Sequence, residues 1–175
     1  MRPLLLDDDR ALPADPATRD TARRIYREVR DLPLICMHGH VDAAVLAADE
    51  PFPDPAGLLV VPDHYLVRML VSQGATLPQL GIGVADPDPR EIWRRFCAGW
   101  HLFRGTPTRY WLEHELAVVF EATVQPGADT ADALYDHIAE RLAEPDFRPR
   151  ALFDRFGIEV LATTDSPLSA LDAHA

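Results

Sequence analysis

The sequence is short of cysteine, of positive charge and of long apolar runs, and each shortage closes off a class of function. Its only cysteines, Cys36 and Cys97, form no CxxC pair. That argues against a disulfide framework and leaves reduced thiols as the expectation. The net charge is −11, which argues against a nucleic-acid partner, because phosphate contacts need clustered Lys and Arg. A small anionic substrate stays open, since a few local arginines can hold one carboxylate. No apolar run reaches the ~18 residues of a membrane span. The opening MRPLLLDDDR carries too short an apolar stretch for a signal peptide, so a cytoplasmic protein is expected. There is no Gly-rich phosphate loop, no GxSxG elbow, no internal repeat and no low-complexity tract.

What is present is an ordinary globular composition, 47% apolar over 175 residues, enough for one real core. The 16 prolines gather at segment edges, as in DPDP (86–89) and EPDFRP (144–149), where they punctuate structure. Residues 16–31 read as a helix with Ala22, Ile25, Tyr26 and Val29 on one face to be buried, and with Thr18 or Asp20 as cap. Further helices are expected over 63–74 (Asp63 cap, Gly74 stop), 88–103 (Asp88 cap, Pro89 in the first turn) and 106–120 (Thr106, then Pro107). Two more fall over 129–144 and 150–157. Ile92, Phe96, Trp100 and Phe103 form one inward face, and Leu134, Ile138 and Leu142 another.

Two strands flank this helical middle. LICM, within 32–40, is too short and apolar for a helix and suits a strand buried on both faces, as in parallel sheets. IEVLATT (158–164) is β-branched, and DSPLSALDAHA (165–175) carries cap signals for a new helix at Asp165, Ser166 and Pro167. Two strands with helices on both faces do not make a stable parallel sheet alone. The pattern fits either a helical domain with a two-strand patch or the opening of a larger α/β fold. A (β/α)₈ barrel needs about 250 residues.

The candidate chemistry lies at segment ends. His38-Gly39-His40 closes the first strand. Side chains at i and i+2 point the same way, so two neutral imidazoles there can grip one divalent cation, with Gly39 giving room for close approach. The alternative is a pair of solvated loop histidines. Asp63-His64-Tyr65, with Arg68 one turn on, offers proton-passing groups. The alternative is a capped helix with an aromatic in the core. Glu113, His114 and Glu115 in WLEHEL lack the i, i+4 histidines of a metal helix and read as a solvated face. Asp165 reads as a cap or a catalytic carboxylate. His101, His137 and His174 have no evident partners.

Taken together and in order, four segments resemble uronate isomerase (glucuronate isomerase), a divergent branch of the amidohydrolase superfamily. They are the HxH of His38 and His40, the DHY-x-x-R of Asp63, His64, Tyr65 and Arg68, the W-x-x-x-E-L of Trp111, Glu115 and Leu116, and the TTDxPxxxLxxHA running from Thr163. The resemblance implies an α/β fold: the N-terminal part of a distorted TIM-like barrel with a helical insertion after the first strand. Residues 1–57 would carry the first helix and strand, 58–149 the insertion and 150–175 a second strand–helix unit. It implies aldose–ketose conversion of hexuronates, D-glucuronate to D-fructuronate and D-galacturonate to D-tagaturonate. His38 and His40 match the family's metal ligands, with zinc as the expected divalent ion. His64 and Tyr65 match its acid–base residues, and Arg68 is a candidate for the substrate carboxylate. Where some members have a His two residues after the tryptophan, this chain has Glu113.

The remaining ligands are expected beyond position 175, so the chain reads as an incomplete fragment, inactive by itself and prone to aggregate through unpaired strand edges. A full-length form could be a homo-oligomer. Competing readings are a metal-dependent hydrolase of the same superfamily and a non-catalytic helical module.

Overall fold

A computed structural model describes residues 2–174 and shows a mixed α/β chain in two compact units. One comprises Met1–Leu6 with Phe52–Glu144, and the other Asp7–Pro51 with Pro145–Ala175. Among the described residues, no helix is long and apolar enough to cross a membrane.

The first unit is helical. Its helices are α3 (Pro55–Leu59), α4 (His64–Ser72), α5 (Pro89–Ala98), α6 (Pro107–His114) and α7 (Ala131–Leu142). The expected caps are in place. Asp88 Oδ1 accepts the amides of Arg90 (3.0 Å) and Glu91 (3.1 Å). Thr106 Oγ1 accepts the amide of Arg109 at 3.2 Å. Each satisfies donors that the helix cannot pair internally. Pro89 and Pro107 follow these caps, where a missing N–H costs nothing.

Ile92, Phe96, Trp100 and Phe103 are all buried, as are Leu134, Ile138 and Leu142. Trp93 is fully buried and its indole N–H donates to the Ala131 carbonyl at 2.9 Å, joining α5 to the start of α7. α6 runs into a wider π turn over Glu115–Val119. The N-terminal residues join this unit through an isolated antiparallel bridge between Pro3 and Val124.

The second unit contains α1 (Pro16–Val29), β1 (Leu34–Gly39), α2 (Ala43–Ala48), α8 (Pro149–Arg155) and β2 (Ile158–Thr163). The strands pair in parallel, with Leu34 opposite Ile158 and Gly39 opposite Thr163, and the register slips between Cys36 and Gly39. Two arginines tie α8 to the end of α2, Arg148 by donating to the Asp49 carbonyl at 3.4 Å and Arg150 more extensively. Arg150 donates to the carbonyls of Leu46 (2.8 Å) and Ala47 (3.0 Å), and its amide donates to Asp49 Oδ1 at 3.0 Å. These carbonyls end α2 and have no partner within the helix, so the guanidinium satisfies them.

Four expectations fail in this unit. The face of α1 is not buried: Ile25 is 61% exposed and Tyr26 59%. Nor is β1 buried on both faces, since Met37 is 72% exposed. One neighbouring strand covers an edge, not a face. Among the described residues no α-helix follows β2. Finally, Asp15, not Thr18 or Asp20, caps α1, accepting the Thr18 amide at 2.8 Å.

The failure after β2 has a local cause. The Asp165 carboxylate accepts from Thr163 Oγ1 (2.5 Å), and Ser166 Oγ closes a turn by accepting the Leu168 amide at 3.2 Å. The cap chemistry is spent on a turn instead of a helix. Leu168, 93% exposed, has nothing to bury against, and a short helix without tertiary packing is marginal. Among the described residues only one 3₁₀ turn, Asp172–His174, follows.

Candidate active site

The structure gathers the predicted residues into two groups, one in each unit. At the C-terminal end of β1 the rings of His38 and His40 converge. Their Nε2 atoms stand 2.9 Å apart, with the ring planes at 79°. Two nitrogens bound at about 2.1 Å to a common ion, at angles between square and tetrahedral, lie about 3 to 3.4 Å apart. The pair therefore fits one divalent cation with a few tenths of an ångström of adjustment. Without a metal, the same contact is an N–H···N hydrogen bond whose donor depends on the tautomers. Among the described residues no set of three or more His, Cys, Asp or Glu side chains is assembled for a metal.

Gly39 lies between the two histidines. A Cβ there would fall 2.8 Å from Leu161 Cδ1 and 2.9 Å from the Ala162 carbonyl oxygen. The room that this glycine provides is thus taken by β2. Beyond β2, Thr164 Oγ1 donates to the Gly39 carbonyl at 2.8 Å. Thr163 Oγ1 and His174 Nε2 lie 2.8 Å apart, and His174 Nε2 is 3.5 Å from Asp165 Oδ2. His174, without an evident partner in the sequence, thus belongs to the polar cluster after β2. The signal that could have found it is the TTDxPxxxLxxHA segment, whose separated polar positions meet here.

In the helical unit Asp63 caps α4, its Oδ1 accepting the amides of Tyr65 (2.7 Å) and Leu66 (3.3 Å). The inward face of α4 is Leu66, Val67 and Leu70. His64, Tyr65 and Arg68 are exposed, and Tyr65 is not the core aromatic that a purely structural role would make it. Instead the three side chains stack. The His64 and Tyr65 rings lie 4.2 Å apart by centroid, and the Arg68 guanidinium carbon is 4.7 Å over the Tyr65 ring. Tyr65 thus contacts both His64 and Arg68.

The WLEHEL segment is also less solvated than expected. A cleft of about 180 Å³ is lined by Asp63, Trp111 and Glu115, among others. Burial, and secondarily the Asp63 carboxylate, push the Glu115 carboxyl above the usual carboxylate range. The helix spacing alone did not show that this acid turns inward. Glu113 has a structural partner, the Arg109 guanidinium, at 2.6 Å.

A family model described as glucuronate isomerase matches residues 16–175. A uronate isomerase of Sphingopyxis alaskensis is 58% identical over 174 residues, covering 99% of this chain and 37% of that protein. The crystal structure of glucuronate isomerase from Caulobacter crescentus superposes with a TM-score of 0.95 at 51% identity, over 99% of this chain and 37% of that one. That of uronate isomerase from Thermotoga maritima gives 0.85 at 26% identity, over 97% and 36%. The chain thus spans little more than a third of the length of these relatives. With the family model extending over most of its residues, the chain belongs to the glucuronate isomerase family.

Proposed function

We propose that this chain contributes to the aldose–ketose isomerisation of hexuronates within a TIM-like barrel. The observation that carries the reading is the convergence of the His38 and His40 rings in a member of this family. The reaction moves a carbonyl from C1 to C2: a proton leaves C2, an enediol forms with negative charge on oxygen, and a proton returns at C1.

His38 and His40 would hold a divalent metal, zinc being the expected ion. Bound there, it would supply positive charge to the substrate oxygens on which the enediol charge develops. His64 and Tyr65 serve as the acid–base residues, passing protons during ring opening and between C2 and C1. Their exposure and mutual stacking leave both polar tips accessible to a sugar. Arg68 presents its guanidinium to the uronate carboxylate, which it can meet with two parallel N–H donors. The substrate is D-glucuronate or D-galacturonate, and the setting is the cytoplasm.

The test is a chimera that continues this chain with the remaining length of the Sphingopyxis alaskensis relative, assayed for D-glucuronate turnover. His64→Ala and Tyr65→Phe are each expected to slow turnover by about tenfold or more, the usual scale of one acid–base group. Parental rates in both variants would remove these residues from the mechanism.

A further inference from the structure

We propose that Thr164 is a positioning residue: through the Gly39 carbonyl it holds the His38 and His40 rings turned toward one point. The inference rests on the reading of that pair as a metal grip, and it extends the site to a segment more than 120 residues away in the chain.

Glycine at position 39 has a steric origin. Its φ is not in the left-handed region, but a methyl group would collide with the Ala162 carbonyl oxygen at 2.9 Å. That oxygen belongs to a backbone and cannot swing aside. β2 therefore selects glycine at the residue linking the two histidines. Glycine, however, is the residue whose backbone turns most freely. Rotation about the Gly39 dihedrals would swing His40 away from His38.

The sheet ladder limits this only in part: Gly39 pairs with Thr163, but after a slip in the β1–β2 register between Cys36 and Gly39. The Thr164 hydroxyl adds a side-chain restraint to that pairing by donating to the Gly39 carbonyl at 2.8 Å. The neighbouring Thr163 hydroxyl is engaged with Asp165 and does not share the task. β2 thus imposes the flexible residue, and its ladder pair and the Thr164 hydroxyl together restrain it.

The proposal is tested on the whole chain, first without metal. A ring-to-ring nuclear Overhauser effect between His38 and His40 is expected in the parent and in Thr164→Ser, and is expected to disappear in Thr164→Val, which keeps the shape but loses the hydroxyl. Backbone amide spectra of the helical unit serve as the folding control. Zinc chloride titrations follow. Thr164→Val is expected to bind zinc about tenfold or more weakly, the scale typical of groups that orient metal ligands, with Thr164→Ser close to the parent.

If Thr164→Val unfolds the strand unit, Thr164→Ala takes its place in both measurements. A ring contact that persists without the hydroxyl, or a serine variant as impaired as valine, would overturn the proposal. Loss of the contact in Thr164→Val with no zinc binding by the parent would sustain the positioning role and sink the metal reading alone.

Discussion

The two units follow the same rules of local structure and differ in what covers their apolar residues. In the helical unit, periodicity and burial coincide. Every side chain of the Ile92, Phe96, Trp100 and Phe103 face is buried, and so is the Leu134, Ile138 and Leu142 stripe of α7. In the strand unit α1 has an equally regular apolar stripe, yet none of its residues is buried. Periodicity encodes a face suited to burial; it does not supply the surface that buries it. A helix packed by its neighbours and a helix awaiting one look alike in sequence.

The sharpest way to break this comparison is by truncation in each unit. All three tryptophans, Trp93, Trp100 and Trp111, lie in the helical unit, so their fluorescence during urea unfolding reports on it. Phe96 is fully buried among aromatic rings, with Trp93 at 5.1 Å and Trp100 at 5.6 Å by centroid. Phe96→Ala is expected to cost about 3–5 kcal/mol, from lost burial plus the cavity left behind. Ile25→Ser on α1, followed by the loss of the strand unit's backbone amide signals in urea, is expected to stay within about 0.5 kcal/mol, as for exposed positions generally. Equal costs for the two would mean that the exposed face of α1 is covered in solution.

The cysteines give a second, smaller contrast. Cys97 in the helical unit is buried, and desolvation pushes its thiol up to about 12. Cys36 in β1 is half-buried and free. One thiol per chain is expected to react with a disulfide reagent at pH 8 in the native state, and two in denaturant, because only the thiolate attacks. Rapid reaction of both in the native protein would contradict the packing of α5.

The mildest test is one of pH. The Glu115 carboxyl is raised on folding, so its neutral form is favoured in the folded state. Its contribution to stability is complete below the unfolded carboxylate range and is lost as pH rises through the folded value. Glu115→Gln is therefore expected to be more stable than the parent at pH 7, with the difference shrinking as pH falls through the folded value and levelling off below the unfolded carboxylate range. Thermal melts across that range check it. A stabilisation that is the same at all pH values would point to packing instead of ionisation.

How much could be read beforehand follows from the same contrast. Caps and prolines act within a few residues, and Asp63, Asp88 and Thr106 all behave as their sequence neighbours dictate. The convergence of His38 and His40 was legible too, since i and i+2 share a side of a strand. Contacts across large sequence separations were not legible. Thr164 on Gly39 and the Ala162 oxygen against Gly39 depend on how β2 pairs with β1, and no local pattern encodes that register. At Asp165 the local signals themselves misled, because a cap residue serves a turn as readily as a helix when no apolar face awaits burial.

The central claim is that two imidazoles at the end of β1 share one cation. Long-range ¹H–¹⁵N spectra of the histidine rings during a zinc chloride titration test it most directly. The account predicts that the Nε2 signals of His38 and His40 shift together along one binding curve, while those of His64, His101 and His137 stay in place. Movement of only one of the pair, or of neither at saturating zinc, would contradict it.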